Sequence, residues 1–257
     1  MSYTIIIPAR LDSSRLAQKA LADLGGKPLI VRVLEQAHKT AAKRIIAATD
    51  APRIADAVAA AGFEAILTKE AVSGSDRVAM AAKMMHIPDQ EIVVNIQGDE
   101  PFFEPASIDR LARQLQNHTD VEMATQATAM TEHDAENPNA VKVVMTHDCK
   151  ALYFSRAKIP FMRAGKDTIP PAPLYYRHIG IYAFYGNTLQ RYITLAASPL
   201  EQTESLEQLR ALQSGWKILV VLVKGPHVPG IDTPEDLERA RLCWTKNQEH
   251  SLGDTPS

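Results

Sequence analysis

Cysteine is scarce: the 257 residues hold two, Cys149 and Cys243, with no C-x-x-C pair and no Cys/His ligand spacing. That excludes a disulfide scaffold and a structural zinc site as readings, and it fits thiols packed in a reducing compartment. Long apolar runs are missing as well. Near the carboxyl end the longest clean one is Ile218–Val223, far short of the roughly 20 residues that cross a bilayer. Tyr3-Thr4-Ile5-Ile6-Ile7-Pro8 carries no basic leader or signal-length core, so it reads as part of the fold. The expectation is a cytoplasmic protein with no membrane partner. There is little charge imbalance: the formal net charge is −2, which gives no grip on bulk nucleic acid and leaves any functional charge local. Several motifs are also absent. No G-x-G-x-x-G follows the first strand, and Gly25-Gly26-Lys27-Pro28 lacks P-loop spacing. No G-x-S-x-G elbow or H-E-x-x-H pair occurs. Nicotinamide chemistry, P-loop hydrolysis, serine-elbow hydrolysis and zinc proteolysis therefore drop out.

What is present is an ordinary globular composition, 46% hydrophobic and 23% charged, in a chain long enough for one core with a smaller lobe. Thr4–Ile7, Arg44–Ala48, Glu64–Leu67 and Ile92–Ile96 read as short buried strands. Between and after them, Pro28–His38, Pro52–Ala61, Asp76–Met85 and Pro105–Asn117 read as helices, several with Pro in the first turn. This alternation predicts an α/β fold with crossover helices between parallel strands. Further on, Val121–Ala129, Val141–Met145, Ala151–Phe154, Tyr176–Tyr185 and Lys217–Val223 read as strands, with a Pro-rich loop over Thr168–Pro173. Leu200–Gln213 reads as one helix, and Pro234–Trp244 as a closing helix capped by Thr233. The predicted organisation is a single domain over 1–246, a sheet-containing lobe at approximately 130–200, and a flexible polar tail over 247–257.

Three stretches carry chemistry. Pro8-Ala9-Arg10-Leu11-Asp12-Ser13-Ser14-Arg15-Leu16-Ala17-Gln18-Lys19 places three cations just beyond a buried strand end, where open α/β sheets bind ligands. Arg10 and Arg15 can offer paired donors to phosphate oxygens and Lys19 a point charge, so the loop suits a triphosphate and a departing pyrophosphate. The same residues also suit a solvated basic loop. Asn95-Ile96-Gln97-Gly98-Asp99-Glu100-Pro101 brings a strand through Gly into acids. Asp99 there is placed for a hard cation such as Mg²⁺, which takes carboxylate oxygen and is shared with substrate phosphates. Taken alone, these residues are read more simply as an acidic turn in which Gly98 supplies an unusual backbone angle. Asp232, in Pro229-Gly230-Ile231-Asp232-Thr233-Pro234-Glu235-Asp236-Leu237, could join Asp99 on the metal, while Glu235 and Asp236 complement the positive end of a helix.

Taken together, the chain resembles the 3-deoxy-manno-octulosonate (Kdo) cytidylyltransferases, the CMP-Kdo synthetases of lipopolysaccharide assembly. The likeness runs from about Tyr3 to Arg241 through IIIPAR, SSRL with Lys19, GGKPLI, IIAATD, SGSDR, VVNIQGDEP, NPNAVKVV, ALYFSRAKIP, RHIGIYAF, SPLEQTESLEQLR and PGIDTPEDLERAR. It implies a nucleotide-diphospho-sugar transferase (Rossmann-like) core with a lobe for sugar contact and homodimer formation. It implies CTP on Pro8, Ala9, Arg10, Arg15 and Lys19, with Ser73, Gly74 and Arg77 near the nucleotide, and Mg²⁺ on Asp99 and Asp232. Lys19, Asp99 and Asp232 form its catalytic set, and the sugar acid meets Gln97, Arg156, His178, Tyr182, Glu207 and Gln208. Read alone, His178 and Tyr182 on an apolar strand also suit satisfied core positions. The implied reaction is attack of the sugar's anomeric hydroxyl on the α-phosphorus of CTP, with no covalent enzyme intermediate.

The chain departs from the family pattern in places. Arg15-Leu16-Ala17-Gln18-Lys19 stands where R-L-P-G-K is common, Ala71-Val72-Ser73-Gly74-Ser75-Asp76-Arg77 where H-x-S-G-T-E-R is usual, and Ile159-Pro160-Phe161-Met162-Arg163 where I-P-W-D-R is usual. The last change leaves Kdo and its 8-amino-8-deoxy form both open as acceptors. A cytidylyltransferase for another acidic sugar such as sialic acid, a sugar 1-phosphate nucleotidyltransferase and a non-catalytic nucleotide-binding regulator are the competing readings.

Overall fold

The computed structural model describes residues 2–13, 15–163, 173–225 and 228–253, with side chains to residue 245. Ser14, the expected Pro-rich loop except Pro173, and the end of the expected tail from residue 254 lie outside the described residues. The chain forms two compact units and does not divide at residue 130. One unit holds Ser2–His86, Asn95–Pro105 and the chain from Val228 onward; the other holds Ile87–Val94 and Ala106–His227.

The first unit is built on strands β1 (Tyr3–Ala9), β2 (Arg44–Thr49) and β3 (Glu64–Leu67), parallel in the order β3-β2-β1. All seven residues of β1 are buried, as fits a strand apolar but for Thr4 and covered on both faces. Helices α1 (Leu29–Ala37), α2 (Pro52–Ala60) and α3 (Gly74–Met84) follow the three strands in turn, and a single 3₁₀ turn at Lys19–Leu21 precedes α1. The final helix α9, Pro234–Gly253, runs well beyond the expected end at Trp244. Its indole lies 4.3 Å from the guanidinium of buried Arg32. Arg32 in turn donates to the carbonyls of Leu24, at 2.8 Å, and Gly25. Gly25 has φ +62°, and a Cβ there would stand 2.5 Å from the Trp244 ring, so this turn admits only glycine.

The second unit carries a mixed sheet. Its strands are β4 (Ile92–Asn95, the last residue counting with the first unit), β5 (Met123–Met130), β6 (Lys142–Met145), β7 (Ala151–Ser155), β8 (Tyr175–Tyr185) and β9 (Ile218–Val223). The order is β4-β8-β5-β9, with β5 antiparallel to β8 and parallel to β9. β6 and β7 form an antiparallel pair that meets β8 at Lys142 and Arg177. Helix α4 (Pro105–Asn117) buries Ile108, Leu111, Ala112 and Leu115 at helical spacing. Two short helices, α5 (Glu132–Ala135) and α6 (Gly186–Tyr192), were not expected; they are too brief to show a helical period.

One expectation fails. Leu200–Gln213 is two helices, α7 (Pro199–Glu204) and α8 (Gln208–Gln213), parted at Ser205, which takes the left-handed conformation with φ 52°. A capping box closes α7 at its start: Ser198 Oγ accepts from Glu201 N, and the Glu201 carboxylate accepts from Ser198 N. Glu201 also takes two bonds from Arg210, at 2.6 and 2.8 Å, which fold α8 back on α7. Among the described residues, no helix is long and apolar enough to cross a membrane.

Candidate active site

The carboxyl ends of β1 and β4 lead into the basic and acidic loops, and both loops belong to the first unit. They line a cavity of about 330 Å³ together with the start of α3 and the segment before α9. Every residue expected at the nucleotide or the metal lines it: Pro8, Ala9, Arg10, Arg15, Lys19, Ser73, Gly74, Arg77, Asp99 and Asp232, and so does Gln97.

Lys19 is the centre of this cavity's electrostatics. Its Nζ donates to Asp99 Oδ2 at 2.5 Å and to Asp232 Oδ1 at 2.9 Å. Arg15 Nη2 reaches the same Asp232 oxygen at 3.0 Å. Burial works to lower the Lys19 pKa, but the attraction of Asp99 and Asp232 outweighs it and holds the ammonium above its ordinary value. Burial pushes the Asp99 carboxyl up. Lys19 opposes that shift, and repulsion from Glu100 and Asp232 adds to it. Asp99 is thus a largely desolvated carboxylate whose charge is incompletely balanced by one ammonium.

Backbone contacts fix the two acids. Ile231 N donates to Asp99 O at 2.9 Å, joining the acidic loop to the segment that carries Asp232. The Asp236 carboxylate accepts from the N–H groups of Asp232 and Thr233 and from the Thr233 hydroxyl, while Asp236 N donates to Thr233 Oγ1. The capping role expected of Thr233 and Asp236 therefore also sets the orientation of Asp232. Gly98 differs from expectation: its φ lies outside the left-handed region, and it is needed because a Cβ would stand 2.8 Å from the Pro8 carbonyl oxygen. We expect Gly98→Ala to lower stability by about 1–3 kcal/mol, because that backbone atom cannot rotate aside. By shifting the Asp99 loop it should also reduce kcat/KM for CTP by roughly 10–100-fold. Melting curves and steady-state kinetics measure the two effects.

Arg77 lines the cavity, but its charge is already matched. Nη2 donates to Asp50 Oδ2 at 2.5 Å and Nη1 to Thr68 Oγ1 at 2.7 Å, and the side chain is buried. It ties α3 to the ends of β2 and β3. Sequence reasoning assigned Asp50 and Thr68 no role; the available signal was an acid at a strand's carboxyl end, the same position that singled out Asp99. Ser73 caps α3, accepting from Asp76 N at 3.1 Å, so the helix start facing the cavity presents its positive end there. Arg10 is exposed at the rim.

The donor set fits a hard dication. Two carboxylates already approach one cation, the Lys19 ammonium, and no group of three or more His, Cys, Asp or Glu able to hold a metal occurs among the described residues. One or two carboxylates completed by water and phosphate is the arrangement Mg²⁺ favours.

The remaining expected sugar residues lie in the second unit. His178, Tyr182 and Gln208 are buried there in one hydrogen-bonded chain. Tyr182 OH donates to Gln208 Oε1 at 3.0 Å, Gln208 Nε2 lies 3.5 Å from His178 Nδ1, and His178 Nε2 lies 2.9 Å from Thr125 Oγ1. Thr125 also reaches the carbonyls of Ile179 and Ile181, which a bulge in β8 turns toward it. With its single proton donated to a carbonyl, the Thr125 oxygen is left to accept from His178 Nε2–H. Burial, with Glu207 adding, raises the Tyr182 pKa well above its usual value. His178 and Tyr182 continue an aromatic row from Phe154 through Phe184 and Tyr192 to Trp216. Glu207 is the N-cap of α8, and its carbonyl accepts from Tyr192 OH at 2.9 Å. Arg156 is half-buried just past β7.

A mixed α/β fold with a phosphate-suited basic loop facing paired acids defines a nucleotidyltransferase. A family model described as cytidylyltransferase matches residues 4–218. The 3-deoxy-manno-octulosonate cytidylyltransferases of Neisseria meningitidis serogroup A and Neisseria gonorrhoeae are each 49% identical over 248 residues, covering 94% of this chain and 98% of theirs. The solved structure of a CMP:2-keto-3-deoxy-manno-octonic acid synthetase complexed with CTP superposes with a TM-score of 0.87 at 39% identity, covering 96% of this chain and 99% of that one. A cytidylyltransferase from Leptospira borgpetersenii shares the fold at a TM-score of 0.61 and 16% identity, covering 95% of this chain and 87% of that one. The chain belongs to the 3-deoxy-manno-octulosonate cytidylyltransferase (CMP-Kdo synthetase) family and is an enzyme of the nucleotidyltransferase class.

Proposed function

We propose that this enzyme transfers the cytidylyl group of CTP to the anomeric hydroxyl of Kdo or of 8-amino-8-deoxy-Kdo, releasing pyrophosphate, as a step toward lipopolysaccharide. The observation that carries the reading is the meeting of Asp99, Asp232 and Lys19 in a cavity rimmed by Arg10 and Arg15, in a chain of this family. Asp99 and Asp232 would hold Mg²⁺. When bound, the ion neutralises triphosphate charge and draws electron density from the reacting phosphate.

The chain's own residues account for the rest. Arg10 and Arg15 grip phosphate oxygens through their forked donors, and Lys19 offers its ammonium to charge developing on the departing pyrophosphate. The start of α3 at Ser73 and Gly74 adds backbone donors, while Arg77, neutralised by Asp50, keeps that helix in place. We assign Gln97 in the first unit, and Arg156, His178, Tyr182, Glu207 and Gln208 in the second, each to contact with the sugar acid. Holding the anomeric hydroxyl in line with the α-phosphorus replaces covalent catalysis. We assign the protein to the cytoplasm. We also propose that it works as a homodimer through the 130–200 lobe, a reading supported by the exposed Leu152 and Phe161 in that lobe.

One assay tests the reaction. The purified protein is incubated with Mg²⁺, each nucleoside triphosphate in turn, and Kdo, 8-amino-8-deoxy-Kdo, sialic acid or a sugar 1-phosphate, while pyrophosphate is followed. Release with CTP and one of the eight-carbon acids is expected, and the faster of the two identifies the acceptor. Release only with sialic acid, or only with UTP and a sugar 1-phosphate, would replace the proposed substrate. No release with any pair would favour a nucleotide-binding regulator.

A further inference from the structure

Ser205, a non-glycine residue held at φ 52° and ψ 51°, stops α7 in a conformation that side-chain-bearing residues rarely adopt. The carbonyls freed there turn to Arg156, whose Nε donates to Glu204 O at 2.7 Å and whose Nη2 lies 3.4 Å from Ser205 O. Its Nη1 donates to Pro138 O at 3.2 Å. The Glu204 carboxylate meanwhile accepts from Ser155 Oγ at 2.6 Å and from the Arg156 backbone N–H at 2.9 Å. On the other side of the residue, fully buried Lys142 donates to Arg156 O at 2.6 Å and to Asn137 O at 3.0 Å.

Arg156 is therefore held at its N–H by a side chain, at its carbonyl by a lysine, and at its guanidinium by three neutral carbonyls. The Glu204 carboxylate bonds the main chain of Arg156 and not its guanidinium, whose hydrogen bonds among the described residues go to carbonyls. The guanidinium's charge remains available to an anion, and its plane is already set.

We propose that Glu204 is the positioning residue of Arg156. Its carboxylate fixes the main chain of Arg156 and its carbonyl fixes Nε, so the guanidinium is preorganised for the carboxylate of the acidic sugar. This rests on the reading that Arg156 meets the sugar acid, and the two ideas fail separately.

The test is steady-state kinetics of the full chain with either substrate varied, on Arg156→Ala, Glu204→Ala, Glu204→Gln and the double variant R156A/E204A. Glu204→Ala should raise KM for the sugar acid about 10–100-fold, the range spanned by a lost charge-assisted bond and a misplaced group, with kcat and KM for CTP changed far less. Glu204→Gln should recover most of that loss, because the amide oxygen can accept from Arg156 N and the amide nitrogen can donate to the Ser155 hydroxyl. The double variant should be no worse than Arg156→Ala alone, since the two residues act as one unit. If Arg156→Ala leaves the sugar KM unchanged, the reading of Arg156 falls. If Arg156→Ala raises it and Glu204→Ala does not, the positioning role falls. Equal losses for both substrates, a Gln variant as poor as Ala, or additive effects in the double variant would overturn it too. Should Glu204→Ala fail to fold, Glu204→Asp, which draws the carboxylate back by one methylene from the Arg156 N–H, takes its place: a sugar KM no higher than the parent's, or equal losses for both substrates, decides against the proposal.

Discussion

Asp99→Asn should lower kcat by about 10²–10³-fold while leaving the fold intact and the melting temperature no lower than that of the parent. The two halves of this result have one cause. Asp99 is largely desolvated and faces Glu100 and Asp232, so its negative charge costs free energy in the protein alone, and Lys19 offsets only part of that cost. The amide keeps the shape and can still accept from Lys19 Nζ, but it removes the charge that a dication would meet. Relief of the repulsion should raise the melting temperature by up to about 2–4 °C, the shift that roughly 1 kcal/mol produces in a chain of this size. Turnover at saturating CTP, sugar acid and Mg²⁺, set beside a calorimetric scan, measures both. A near-parental kcat would remove Asp99 from the metal site, and a falling melting temperature with full activity would make it a structural acid.

Lys19→Met should have a comparable effect through the opposite imbalance. Removing the ammonium leaves Asp99 and Asp232 close together with no shared cation, Arg15 remaining on Asp232 alone. Breaking a fully buried ion pair typically costs about 3–5 kcal/mol. Here the partners keep some contact with water, so a loss of about 1–3 kcal/mol is expected without metal. Millimolar Mg²⁺ should restore part of that stability by supplying the missing charge. It should not restore catalysis: on the proposed role of Lys19 at the departing pyrophosphate, kcat/KM for CTP falls by about 10²–10³-fold. Urea melts with and without Mg²⁺, together with CTP kinetics, separate the two contributions. If Mg²⁺ left the stability of the variant unchanged, the two acids would not form a shared cation site.

The two acids came out of the sequence by different routes. Asp99 was legible because a β-branched run ending in Gly and acids marks the carboxyl end of a buried strand. Asp232 was legible only as an acid before a helix start, and its approach to Lys19 spans 213 positions of sequence separation. The loop cations were readable as a group, but their individual partners were not. Arg77 carries the same charge as Arg10 and differs in being buried against Asp50 and Thr68. Nothing in S-G-S-D-R announces that difference. The single helix expected over 200–213 failed for a related reason: local propensity favours continuity, and contacts with Arg156, some 48 residues away, accompany the break.

By itself, then, the order of residues determined the α/β class, the strand ends from which the basic and acidic loops emerge, and membership in a cytidylyltransferase family. Those depend on local periodicity, on turn chemistry and on motif spacing, all of which survive in one dimension. Only the tertiary structure decided which charges are spent and which remain available: Lys19 bridging two acids, Arg77 neutralised, Arg156 gripped by carbonyls at a broken helix. The strength of a charge pair depends on separation and on exclusion of water, and both are properties of the packed chain.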